Sequence, residues 1–158
     1  MTRKTYRQLA AEAALEIREI EPWNLPAFLL MHPGVLLIDV REPHEYASAH
    51  IRGSINVPRG VLESSAEWDY AETVPELVTA RDKPVVLICR SGNRTALAAL
   101  TLGQMGFADV QSLKLGIKGW NDADLPLFDS EGNPVDGDTA AERLEPPLRP
   151  DQRRPKDA

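Results

Sequence analysis

The single cysteine of the chain, Cys89, stands in the stretch VVLICRSGNRTALAAL, where an apolar run meets an Ala- and Leu-rich run across a loop that carries two arginines. The chemistry open to it is single-thiol chemistry. One cysteine forms no intramolecular disulfide and cannot alone supply the sulfur ligands of a zinc or iron–sulfur site. Thiol and strand by themselves favour an inert packing residue, because free cysteine is among the most buried residue types. Arg90, Gly92 and Arg94 change that balance, since a buried inert side chain needs none of them. The amide N–H groups of a tight loop leading into a helix N-terminus form a concavity for anions. A thiolate at its centre is stabilised by those dipoles and by two guanidinium groups, which is the environment of a nucleophile.

The elements that must position this loop are legible on both sides of it. Gly34–Val40 and Pro84–Cys89 are short, apolar and rich in β-branched residues, as expected of strands covered on both faces in a parallel sheet. SINVP and ADVQSL add two short strands, with helices expected at Pro43–Ser48 and at Arg94–Met105, the latter closed by Gly106. Alternating strands and helices give an α/β fold with a mainly parallel sheet and helices on both faces. Ligands of such sheets bind beyond the carboxyl ends of the strands, and Cys89 falls at one such end.

Toward the N-terminus, Tyr6, Leu9, Ala10, Ala13 and Ala14 recur at three- and four-residue spacing within Arg3–Leu15, an amphipathic helix whose alanine face docks weakly. Ile17–Ile20 reads equally as its continuation or as a strand, and a helix is expected at Leu25–Leu30. Past Asp129 the composition changes: Pro134–Ala158 holds five of the 13 prolines and few large apolar residues, the pattern of a tail or surface strap outside the core. The chain therefore divides into a helical extension at 1–15, one domain at 16–128 and a Pro-rich tail at 129–158.

A net charge of −6 over 158 residues argues against general nucleic-acid binding, which needs a basic face. An anionic substrate would have to find local positive charge. No apolar run approaches the roughly 20 residues that span a bilayer, and the first 20 residues lack the continuous apolar core of a signal peptide. A cytoplasmic setting without membrane partners is expected.

Three blocks, LLIDVREPHEYASAHIRGSINVP, VVLICRSGNRTALAALTLGQMGF and VQSLKLGIKGW, together resemble the rhodanese domain over about Ile17–Leu127. The resemblance implies a sulfurtransferase. Cys89 would take a sulfane sulfur from a donor such as thiosulfate, become a persulfide and pass the outer sulfur to cyanide or a thiol, a ping-pong sequence that needs no metal or cofactor. Arg90, Ser91, Gly92, Asn93, Arg94 and Thr95 would form the cradle, with Arg94 the better placed of the two arginines to orient an anionic donor. Related phosphatases and arsenate reductases set their loop arginine six positions after the cysteine; here Arg94 is at five and Thr95 at six, the sulfur-transferring loop size. The alternative from another class is a persulfide carrier or protein-binding module with little turnover on small molecules.

The other signature residues read as structural. Asp39 is expected to bond loop amides at a strand end, Arg41 and Glu45 to form a local ion pair, and His50 and Asn56 to support the second signature without metal-spaced partners. Gly116, Gly119 and Trp120 match the family's terminal motif, the tryptophan anchoring the last helix. Leu115 and Ala49 stand where glycine is more usual. Arg52 and Arg59 read as solvated surface arginines.

Overall fold

The computed structural model describes residues 2–158. In chain order it contains α1 (Tyr6–Ala14), β1 (Arg18–Ile20), α2 (Leu25–Met31), β2 (Leu36–Asp39), α3 (Pro43–Ser48), β3 (Ile55–Asn56), α4 (Leu62–Ser65), α5 (Pro75–Val78), β4 (Pro84–Ile88), α6 (Asn93–Gln104), β5 (Asp109–Leu113), α7 (Gly116–Asp122), β6 (Leu127–Phe128), β7 (Pro134–Val135) and α8 (Gly137–Leu144). Five strands form one parallel sheet in the order β1-β5-β4-β2-β3. The α/β reading holds, and Arg18–Ile20 resolves as the edge strand β1, paired with Gln111–Leu113.

The continuous apolar runs become strands because both sheet faces are covered. Along β4, Val85 and Leu87 enter a core with Ala98, Ala99 and Leu102 of α6 and Leu62 and Leu77 of α4 and α5. Val86 and Ile88, pointing the other way by the two-residue strand period, join Leu25, Ile117 and Trp120 of α2 and α7. Helix α6 ends where expected: Gly106 has φ +90°, Gly106 N–H donates to Gly103 O, and Phe107 N–H donates to Leu102 O, closing the last turn.

Helix α1 begins with a capping box, Thr5 Oγ1 accepting from Gln8 N–H and Gln8 Oε1 from Thr5 N–H. Buried Ala10 and Ala13 let it lie close along α6. The segment past Asp129 departs from the expected tail. Leu127 and Phe128 pair with Val135 and Pro134 in a small hairpin, and α8 buries Ala140 and Leu144 in the second core. Two well-spaced apolar residues and an Asp136 cap, accepting from Thr139 N–H at 2.9 Å, suffice where the surrounding prolines suggest none. No helix among the described residues is long and apolar enough to cross a membrane.

Candidate functional site

Strand β4 stops at Ile88, and Cys89 begins a loop that reverses into α6 within four residues. Gly92 makes that turn: its φ is +93°, and a Cβ there would meet Leu113 O and Leu115 N at 3.3 Å. The loop is also tied from behind. Ile117 N–H donates to Cys89 O at 2.9 Å and Lys118 N–H to Arg90 O at 3.0 Å. This close approach requires Gly116, because a Cβ at that position would lie 2.4 Å from Arg90 C and O.

Within the loop the Cys89 side chain is 1% exposed. Gly92 N–H points at Sγ across 3.1 Å, and Thr95 Oγ1 lies 3.3 Å from the sulfur. Thr95 Oγ1 in turn bonds Gly92 O at 3.2 Å and Ser112 Oγ at 2.7 Å, both hydroxyl residues being fully buried. The Gly92 N–H is the donor aimed at the sulfur, an arrangement that stabilises negative charge there, while the one Thr95 hydroxyl proton is shared among Gly92 O, Sγ and Ser112 Oγ.

The two loop arginines have different surroundings. Arg90 is exposed. Arg94 is half-buried and makes a two-pronged pair with Glu45, Nη1 to Oε2 at 2.9 Å and Nη2 to Oε1 at 3.0 Å. Burial pushes the Glu45 carboxyl up, but the Arg94 hydrogen bonds, the Glu42 N–H and the charges of Arg94 and Arg41 outweigh it and hold the group at about 2. The same pair raises Arg94 above its ordinary value, with the negative charges of Cys89 and Tyr6 adding to the effect.

The expected Arg41–Glu45 ion pair is therefore replaced by two others. Arg41 Nε and Nη2 donate to both carboxylate oxygens of Asp39 at 2.8–3.2 Å, in a pair 1% and 0% exposed, and Nη2 also reaches Ala49 O at 2.7 Å. The turn after β2 folds Arg41 back onto its own strand end and leaves Glu45 free to cross to α6. Asp39 also accepts from Arg41 N–H at 3.0 Å, as a strand-end carboxylate bonding a loop amide. Asn56 Nδ2 donates to Asp39 O and Arg41 O, fastening this turn to β3. His50 is structural: Nδ1 contacts Tyr46 O at 2.8 Å and its ring stacks on Tyr46. Arg52 lies over the Phe128 ring and Arg59 pairs with Glu63, so neither is merely solvated. Trp120 Nε1 donates to Pro126 O at 2.9 Å and anchors α7, which α8 follows.

Two neighbours of the thiol were not singled out in the sequence. Ser112 stands two residues after Val110 in DVQSL, on the strand face that Val110 turns to the first core, a signal that strand alternation offers. Tyr6 comes from the N-terminal helix; burial and the charge of Cys89 push its phenol up, while Arg94 and Arg90 pull it down. Its only sequence signal was apolar periodicity. Leu115, with φ +66° and 48% exposed, rims the loop beside Ser91 and Lys118.

The rhodanese-like domain family model matches residues 28–123. The thiosulfate sulfurtransferase GlpE of Pseudomonas fluorescens is 32% identical over 119 residues, covering 75% of this chain and 97% of that protein. A Rhodopseudomonas palustris structure, described as a protein of unknown function and possible tyrosine phosphatase, superposes with a TM-score of 0.71 at 28% identity, covering 80% of this chain and 96% of that one. A thiosulfate sulfurtransferase from Pseudomonas aeruginosa superposes with a TM-score of 0.59 at 29% identity, covering 73% of this chain and 20% of that longer one. The family match spans more than half of the chain, and this chain belongs to the rhodanese-like domain family.

Proposed function

We propose that the protein is a sulfurtransferase that carries sulfane sulfur as a Cys89 persulfide, from a small anionic donor such as thiosulfate to cyanide or a thiol. The observation that carries this reading is the Gly92 N–H aimed at Cys89 Sγ across 3.1 Å in a loop of six residues. The Cys89 thiolate attacks the outer sulfur of thiosulfate, the sulfur–sulfur bond breaks, and sulfite leaves with the electron pair. The acceptor then attacks the carried sulfur and Cys89 returns as thiolate, giving two half-reactions. The amides from Arg90 to Thr95 hold the terminal sulfur and the donor's oxygens. Arg90 supplies exposed positive charge, and Arg94, held by Glu45, orients the loop's open side. A cytoplasmic setting, where an unpaired thiol stays reduced, belongs to the same reading.

The Rhodopseudomonas palustris neighbour favours a phosphatase as second reading. Loop size speaks against it: Arg94 stands five residues after Cys89 and its guanidinium is taken up by Glu45, whereas phosphoryl transfer needs that group turned to the phosphate. Steady-state assays with thiosulfate and cyanide should yield thiocyanate with parallel double-reciprocal plots, and Cys89→Ser should abolish it. Hydrolysis of an aryl phosphate without thiocyanate formation would replace the sulfurtransferase by the phosphatase.

A further inference from the structure

Beside the Cys89 loop lies a concavity of about 290 Å³ whose wall includes Arg41, His44, Glu45, Arg90, Arg143 and Leu144. It adjoins the loop through two residues of its wall, Arg90, which follows Cys89, and Glu45, which holds Arg94. The volume is about ten times the ~30 Å³ share of a water molecule, room for a small organic molecule. Its charge is unbalanced. Arg41 is satisfied by Asp39 and Glu45 by Arg94, but among the described residues Arg90 and Arg143 are in no ion pair. Arg143 gives one N–H to Ser48 O at 2.6 Å and keeps its other donors. The acid nearby, Glu145, is engaged by Lys118, which lowers its carboxyl with Arg90 assisting.

The wall is built rather than loose. Helix α8 is capped by Asp136, seated by buried Ala140 and Leu144, and tied to α7 by Asn121 Nδ2 donating to Gly137 O at 3.0 Å. Helix α8, which brings Arg143 and Leu144 to the wall, lies past residue 123, where the family match ends. An acceptor thiolate approaching an anionic persulfide meets like charge, and an anionic tail on the acceptor adds to the repulsion unless cations receive it. Two guanidinium groups fit a carboxylate by paired N–H donation.

We propose that this pocket is the acceptor subsite, and that Arg143 and Arg90 select small thiols bearing a carboxylate; the proposal rests on the sulfurtransferase reading. The acceptor thiolate attacks the outer persulfide sulfur, the bond to Cys89 Sγ breaks with its electron pair left on Sγ, and a new sulfur–sulfur bond forms on the acceptor. Two negative charges on sulfur enter and two leave, and the acceptor's carboxylate keeps its own charge throughout.

The test compares 3-mercaptopropionate with 2-mercaptoethanol as acceptors of the preloaded persulfide, in wild type, Arg143→Gln and Arg143→Lys. The kcat/KM ratio of the two thiols favours the carboxylate in wild type, falls about tenfold in Arg143→Gln, as loss of one charge-assisted contact implies, and is largely restored by Arg143→Lys. Taking a ratio cancels any general loss of folding or loading. The same ratio is read without sulfane sulfur, as the rate at which Cys89 forms mixed disulfides with 3,3′-dithiodipropionate and bis(2-hydroxyethyl) disulfide, followed by mass spectrometry. If sulfur loads but both ratios ignore Arg143, the subsite is overturned and sulfur transfer stands. If no sulfur loads but the disulfide ratio falls in Arg143→Gln, the anion-binding pocket stands and the sulfurtransferase reading falls.

Discussion

Replacing Glu45 by glutamine isolates the contact that pins Arg94 to the sulfur loop. The carboxylate takes two hydrogen bonds from Arg94, at 2.9 and 3.0 Å, and one from Glu42 N–H at 2.9 Å. A carboxyl held at about 2 instead of 4.5 represents ~3.4 kcal/mol of preferential stabilisation of the ionised form at neutral pH. With the Arg94 and Glu45 side chains 27% and 22% exposed, solvent screening reduces this to about 1–2 kcal/mol. Glu45→Gln should therefore lower Tm by about 3–6 °C at pH 7. Because the folded-state value is depressed, the contribution is complete above the unfolded value of 4.5 and is lost as pH falls toward 2. At pH 3.5 about 60% of it remains. Urea titrations of both proteins at pH 7 and pH 3.5 measure the difference. A gap within the ~0.5 kcal/mol of an ordinary surface substitution, or one that does not shrink with pH, would refute the clamp.

Other substitutions probe the parts that hold the loop. Arg41→Met strands the fully buried Asp39 carboxylate and should cost about 3–5 kcal/mol in urea denaturation, much of it recovered by adding Asp39→Leu. Gly116→Ala drives a Cβ into Arg90 C and O; a loss of at least about 2 kcal/mol is expected, with slower sulfur uptake at Cys89, and wild-type stability would contradict the drawn contact. Leu115→Gly relieves a left-handed leucine worth about 1–2 kcal/mol of strain, partly offset by a more flexible unfolded chain. Since the leucine is 48% exposed, differential scanning calorimetry should find stability unchanged or raised by about 0.5–1 kcal/mol.

The sheet was legible because both its faces are covered: the runs around Leu37 and Val86 carry apolar residues at every position, a pattern few other elements share. The loop was legible because glycine, arginines and thiol crowd six residues at a strand end. Partner choice was not. Arg41, Glu45 and Arg94 were all visible, but spacing along the chain pairs Arg41 with Glu45, and only the turn after β2 decides that Asp39 takes Arg41 and that Glu45 reaches across to α6. Helix α8 was masked by its neighbours, since prolines on both sides dominate the composition while two buried residues, Ala140 and Leu144, suffice to seat eight residues. Tyr6 was read as part of an apolar stripe, and its nearness to the thiol depends on how α1 lies along α6.

The central claim is that Cys89 carries the sulfur, and intact-protein mass spectrometry tests it most directly. After incubation with thiosulfate and removal of excess donor, the protein should gain the mass of one sulfur atom, located at Cys89 by fragmentation, lost on addition of cyanide and absent in Cys89→Ser. An unchanged mass with thiosulfate and with other sulfane donors, in protein whose Cys89 remains free to alkylate, would contradict the account.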